Sequence, residues 1–189
     1  MSTQQTLTNG IDVEALGAVC QQITADSKLG FVHFTTSTRW QGGTRTETAI
    51  EELKVNGENV PREYKINSDE PTQLLGSDTA ANPQELVLAG LAGCMMVGFV
   101  AGCSVHGIDL ESVELRTTSA LDLRGFLGLD PQVIAGLSGV SYELHVRGSG
   151  TDEQYESIHQ HVLATSPNFY NLNQPISVEG KVVVEKSKG

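Results

Sequence analysis

One stretch dominates the hydrophobic pattern of the chain. Across 86–105 no residue is charged, and apart from Ser104 every side chain is apolar or a glycine. This predicts one long helix. Asn82 is suited to cap it, and Pro83 fits the first helical position, where a missing N–H leaves nothing unsatisfied. Gly107, after His106, supplies a C-terminal stop. A helix apolar on all sides has to be buried, in a protein core or in a bilayer. An uncharged run of ~18 residues or more is long enough to span a membrane, and Gly98-xxx-Gly102 has the spacing of close helix pairing. Three features oppose that reading: the high Gly and Ala content, no Lys or Arg at either end to orient a span, and strand-like alternation elsewhere. The expectation is a central helix wrapped by sheet, without a membrane partner.

The remaining pattern is shorter in period. Ile11, Val13, Leu16, Val19 and Ile23 recur at helical spacing over 11–24. Strands are predicted over 31–40 and 44–53, joined by a turn at Gln41-Gly42-Gly43. Asn56-Gly57 signals a hairpin, with a further strand over 60–66. Residues 68–82 read as a polar loop. After the apolar helix come a strand over 113–123, a Gly-rich loop over 124–139 and a strand over 140–146. A second helix starts at Thr151-Asp152-Glu153 and runs to about Thr165, with Tyr155, Ile158, Val162 and Leu163 on its apolar face and Ser166-Pro167 as its stop. A last strand is expected over 175–185. The order α-β-β-β-α-β-β-α-β, with strands in hairpins, is an α+β class rather than a doubly wound sheet. The expected organisation is a helical arm over 1–30 and one domain over 31–189.

Composition narrows the functional classes. The 189 residues suit one domain plus an arm. A net charge of −11 argues against nucleic acid and anionic membrane surfaces as partners, since both demand a basic patch. Three cysteines, odd in number and widely spaced, do not make a secreted disulfide framework. With no signal peptide visible at the N-terminus, a reducing cytoplasm is the expected location. There is no CxxC or HExxH spacing, and His159 and His161 lie about 200° apart on their helix, so no metal site is expected. No Gly-rich phosphate-binding fingerprint appears, so no cofactor is expected either.

The candidate chemistry is Cys94, about three turns into the apolar helix. By base rate a cysteine there is a small hydrophobe, as Met95 and Met96 beside it are core filler. To act, it must be a thiolate. A thiol of ordinary pKa is only ~3% ionised at pH 7. Burial opposes ionisation, and the helix dipole fades after the first turn. A nearby cation is therefore required. Cys103 lies nine residues further on, half a revolution round the helix and ~13 Å along it, too far for a disulfide with Cys94. Cys20 reaches it only if the arm folds over. The loop around Arg124-Gly125-Phe126 reads either as a connection or as a lid, and the acidic loop over 69–78 reads as solvated surface.

The Asn82-Pro83-Gln84-Glu85-Leu86 start, the Ala92-Gly93-Cys94 centre, Gly107-Ile108, and the second helix ending in Ser166-Pro167 together resemble the OsmC/Ohr family of osmotically inducible and organic-hydroperoxide-resistance proteins. The resemblance covers 31–186. It implies an intertwined homodimer in which antiparallel sheets wrap two long central helices, with sites where the chains meet. It also implies reduction of organic hydroperoxides by a cysteine pair. In this chain the resemblance makes Cys94 the attacking residue, with an arginine from the early strands, Arg39 or Arg45, held by a glutamate. Arg124 is a third candidate. Two departures stand out. The family's acidic position, ten residues before the cysteine, is Gln84, and the acid is next door at Glu85, rotated by about 100°. The resolving cysteine of the family is replaced by Ser166, which cannot form a disulfide. Two readings follow. One is a one-cysteine peroxidase dependent on an external thiol. The other is a non-catalytic binder of a small apolar molecule in the interface pocket.

Overall fold

The structure is a computed structural model that describes residues 7–185. In chain order its elements are β1 (Leu7–Thr8), β2 (Ile11–Asp12), α1 (Val13–Ala25), β3 (Val32–Trp40), β4 (Thr46–Val55), β5 (Glu58–Asn59), β6 (Lys65–Ser68), α2 (Pro83–Val105), β7 (Leu110–Leu121), α3 (Leu123–Phe126), β8 (Leu137–Gly148), α4 (Asp152–Thr165) and α5 (Pro167–Asn173). All sheet pairing is antiparallel. The class is α+β, as the hairpin-rich order of elements predicts.

The apolar stretch is one 23-residue helix, α2. A capping box starts it: the Asn82 side chain accepts from Glu85 N and the Glu85 carboxylate accepts from Asn82 N, each at 2.8 Å. Leu91, Met95, Phe99 and Cys103, one turn apart, form its buried stripe. Ile108, Ile158 and Val162 complete the core, and the inward residues of β7 and β8 pack on it, including Val113, Leu115, Val140, Leu144 and Val146. Both strands alternate cleanly, as half-buried strands do.

A second stripe of α2 carries Gly90, Gly98 and Gly102, with Cys94 between them. A Cβ at Gly98 would lie 3.4 Å from Val162 Cγ2, and one at Gly102 only 2.7 Å from Ile158 Cγ2. The Gly98-xxx-Gly102 spacing therefore serves the packing of α2 against α4. By length and composition α2 is able to cross a membrane; in this fold it packs against α4, α5 and β7.

The first half of the chain is built differently. β3 and β4 form a long hairpin with an irregularity between Thr35 and Thr36, and β5 and β6 both pair with β4. Asn56 and Gly57 both have positive φ, the tight turn that Asn-Gly favours. Among the described residues, no apolar side chain of this sheet or of α1 is buried.

Several expectations are corrected. Residues 175–185 form no strand: alternation supplies a face, but a strand also needs an edge to pair with, and this segment pairs with none. Of the strand expected over 60–66 only the last two residues are extended in a sheet, at the start of β6, while 60–64 form no strand; β5 lies just before that range. Residues 124–139 are not all loop, because Asp122 caps the short α3 and β8 begins at Leu137. Ser166-Pro167 ends α4 but also starts α5. The loop over 69–78 is not simply solvated surface. Asp69 is fully buried. Its carboxylate accepts from the hydroxyls of Thr44 (2.5 Å) and Thr79 (2.8 Å) and from the N–H groups of Glu70, Ser77 and Thr79. The Thr44 hydroxyl above all, with the Thr79 and Glu70 donors, holds the Asp69 carboxyl well below the ordinary carboxylate range, against the effect of burial.

Candidate functional site around Cys94

Cys94 is half-buried on α2, within the small-residue stripe. That stripe lets the junction of α4 and α5 come close. Ser166 belongs to both helices, ending α4 and capping α5. Its Oγ donates to Cys94 Sγ at 3.3 Å and accepts from Phe169 N at 3.4 Å. The residue is 6% exposed. One turn earlier on α2, Asn168 Nδ2 donates to the carbonyl of Gly90 at 2.8 Å. Two side chains at the start of α5 thus fix it across the turn of α2 that carries the sulfur.

A cavity of about 460 Å³ opens beside this junction. Val87, Leu91, Val140 and Phe169 give it apolar walls, and Gln84 and Tyr142 add polar groups. A smaller one of about 280 Å³ lies between α2 and α5, against Gly90, Leu91 and Asn168. Cys94 lines neither; Leu91, about one turn before it, lines both, and Gly90 lines the smaller. The Tyr142 hydroxyl is 2.7 Å from His159 Nε2. Burial, and secondarily Glu156, raise its pKa.

The other candidates are dispersed. Gln84 faces the larger cavity, whereas Glu85 is engaged in the capping box with Asn82. Arg39 lies on β3, 3.8 Å from Glu51. Arg45, in the β3–β4 turn, donates to the carbonyls of Gln41 and Gly42. Arg124 grips Asp122 by two nitrogens, the shortest contact 2.6 Å, and lies 3.8 Å from Asp130. Among the described residues none of these arginines bonds Cys94 or Glu85. Cys103 is fully buried and its thiol is pushed up by that burial; Cys20 is exposed on α1. No group of three His, Cys, Asp or Glu side chains among the described residues is placed to hold a metal.

Sequence reasoning placed Ser166 at a family position but did not bring it onto the sulfur, and it missed Asn168 altogether. The available signal was Ser166-Pro167 itself, which repeats the cap-then-proline order of Asn82-Pro83.

A family model for OsmC-like protein matches residues 76–181, which hold α2, Cys94 and Ser166. The chain belongs to the OsmC-like family. No curated protein matches it at the sequence level. Among solved structures, this OsmC-like chain is similar to a protein from Psychrobacter arcticus 273-4 named for osmotic stress induction and detoxification response. The two share 20% identity and a TM-score of 0.57, over 75% of this chain and 88% of that one. An OsmC-like protein from Mycoplasma pneumoniae gives 12% identity and a TM-score of 0.57, over 77% and 89%. An OsmC-like protein of unknown function from Vibrio cholerae O1 biovar eltor gives 15% and 0.56, over 74% and 92%. At these identities the likeness is one of fold.

Proposed function

We propose that this OsmC-like protein is a one-cysteine thiol peroxidase for organic hydroperoxides, working as a homodimer. The observation that carries the reading is the 3.3 Å contact between Ser166 Oγ and Cys94 Sγ. A polar donor held against a sulfur inside an apolar helix packing is poor packing chemistry but suits a sulfur that changes charge and oxidation state. The Cys94 thiolate attacks the terminal peroxide oxygen, the O–O bond breaks, and the alkoxide leaves with a proton as the alcohol. Cys94 becomes a sulfenic acid. Ser166 offers no sulfur to condense with it, so an external thiol displaces water to give a mixed disulfide. A second thiol then frees Cys94 and leaves as the external disulfide. The apolar cavity beside the junction suits the organic part of such a substrate. A reducing cytoplasm supplies the thiols.

The proposed partner is a second copy. β3 carries Phe34 and Trp40 about three-quarters exposed, and Val97 on the outer face of α2 is 71% exposed. The valines of the C-terminal segment are also open. Apolar surface on three separate elements is what an intertwined interface would cover. Arg39 and Arg45, on the hairpin that a partner would receive, are the cations proposed to reach its Cys94.

One observation favours the alternative, a non-catalytic binder of a small apolar molecule: the larger cavity has no sulfur on its wall. Intact-mass analysis separates the two. With one equivalent of an organic hydroperoxide and a sulfenic-acid trap, the peroxidase reading expects one adduct, lost in Cys94→Ala. An adduct-free protein, or equal labelling of the variant, overturns it in favour of the binder. Ser166→Cys should, after the same treatment, lose two hydrogens by closing a disulfide with Cys94 and no longer take up the trap.

A further inference from the structure

A second cavity, of about 360 Å³, lies between β8 and α4, and the Cys94 chemistry leaves it unused. The sequence builds it from two periodicities. Tyr142, Leu144 and Val146 alternate along β8 and so share one face of the strand. Asp152, Tyr155, Glu156 and His159 stand at i, i+3, i+4 and i+7 of α4 and so share one face of the helix. Phe99 of α2, fully buried, closes the inner end. With Leu144 and Val146 it makes that end apolar, while Asp152 and Glu156, both exposed, stand at the mouth.

The rings between them are fixed without a ligand. The Tyr155 hydroxyl accepts from Gly150 N at 3.0 Å, which turns it to the β8–α4 connection and leaves its ring to line the cavity. A Cβ at Gly150 would lie 2.8 Å from that ring, so glycine at 150 is what admits it. The Phe99 and Tyr155 centroids are 6.2 Å apart. Tyr142 and His159 meet edge to face, with the Tyr142 hydroxyl 2.7 Å from His159 Nε2. Glu156 is held on both sides: Oε1 accepts from Gln160 Nε2 at 2.8 Å, and Oε2 lies 3.7 Å from His159 Nδ1. A carboxylate beside Nδ1 favours the tautomer that carries its hydrogen there. Nε2 therefore accepts from Tyr142, and the Tyr142 proton is spent.

What remains toward the cavity is ring faces, the lone pairs of Tyr142 and two carboxylates. Among the described residues no Lys or Arg lines it. An anion finds no charged donor there, whereas an ammonium ion finds acceptors and ring faces together. The positive end of α4 does not oppose it, because Asp152 and Glu153 in the first turn offset that end. The larger cavity, which shares Tyr142, has no charged residue on its wall. We propose that the second cavity binds a small apolar primary amine as its ammonium ion. The alkyl part lies against Phe99, Leu144 and Val146, and the nitrogen sits at the mouth, donating to Glu156 and Asp152. This site stands apart from the hydroperoxide reading and does not depend on the reactivity of Cys94.

Amide NMR titration of the full-length chain with n-butylammonium chloride, at pH 7 and constant ionic strength, tests this. Saturable shifts are expected, clustered on 142–146 and 152–159. n-Butanol, the same length without the charge, should bind about fivefold more weakly, and butyrate should give no saturable shift. Glu156→Gln should weaken n-butylammonium binding by about fivefold. Glu153→Gln removes the same charge from the same end of α4 but outside the cavity lining, and should leave binding unchanged. No saturable shift up to ~50 mM, well above the millimolar Kd that a ligand this small reaches, overturns the proposal. So does n-butanol binding as tightly as the amine, which would make the cavity merely apolar. Equal losses in the two variants overturn it as well, since the attraction would then be one of net charge.

Discussion

The C-terminal half of the molecule, from α2 to α5, and the N-terminal half, from α1 to β6, are built on opposite principles. All the buried apolar residues of the core lie in the first of these, from Leu91 to Val162. The N-terminal half has regular strands and good turns, yet its large side chains, Phe31, Phe34 and Trp40 among them, face solvent. Both halves are built of regular hydrogen-bonded elements, but among the described residues apolar burial is confined to one of them. A sheet with one face on nothing is marginal by itself, and the homodimer proposed above would cover that face. The Asn9 clamp ties the start of the chain to the α2–β7 turn of the core half, and the Asp69 hub ties Thr44 of the β3–β4 turn to the loop leading into α2.

The comparison can be broken most forcefully at Phe99. Phe99→Ala empties the centre of the core and should cost about 3–5 kcal/mol in urea unfolding, enough to leave much of the chain unfolded. Asp69→Asn should come next, lowering the melting temperature at neutral pH by loosening the loop that leads into α2 from the β3–β4 turn. Its pH signature follows from the sign of the shift. The Asp69 carboxyl is depressed in the folded state, so its stabilisation is complete above the ordinary carboxylate range and drains away as pH falls below ~4 toward the folded value. Wild type should lose stability over that window; Asp69→Asn should lose less there, and equal acid limbs in the two proteins would contradict the hub. Gly102→Ala should destabilise by about 1–3 kcal/mol, because the new methyl meets Ile158 at 2.7 Å, despite the ~1 kcal/mol that alanine gains in helix propensity. The smallest effect belongs to Trp40→Ala. Monomer stability should move by no more than ~0.5 kcal/mol, while dissociation of the proposed dimer, followed by light scattering on dilution, becomes easier. A loss comparable to that of Phe99→Ala would mean the two halves share one core.

What the sequence made legible follows the same division. α2 was readable because Asn82-Pro83 and an uncharged run are local signals, and the α4 cap at Thr151 likewise. The family was readable from residues inside the matched region. The C-terminal segment was misread because Ile176 and Val178 announce a face without announcing which edge they meet. Asp69 was misread because an acid in a polar loop looks solvated; its donors, Thr44 and Thr79, lie 25 residues before and 10 after it. The Ser166–Cys94 contact bridges 72 residues, and no local pattern reports a contact of that span. Glu85 carried a second local meaning, the capping box, that competes with any role toward an arginine.

The glycine content of α2 bears on how the chain folds. Gly90, Gly93, Gly98 and Gly102 each forfeit ~1 kcal/mol of helix propensity relative to alanine, so the nascent helix has little tendency to form ahead of its neighbours. What restores it is α4 and the start of α5, and the Asn168–Gly90 bond spans 78 residues. Formation of α2 should therefore be a late, cooperative event in folding, protected from hydrogen exchange only together with α4. During synthesis Cys94 would stay in an unformed helix until the chain has been made past Asn168.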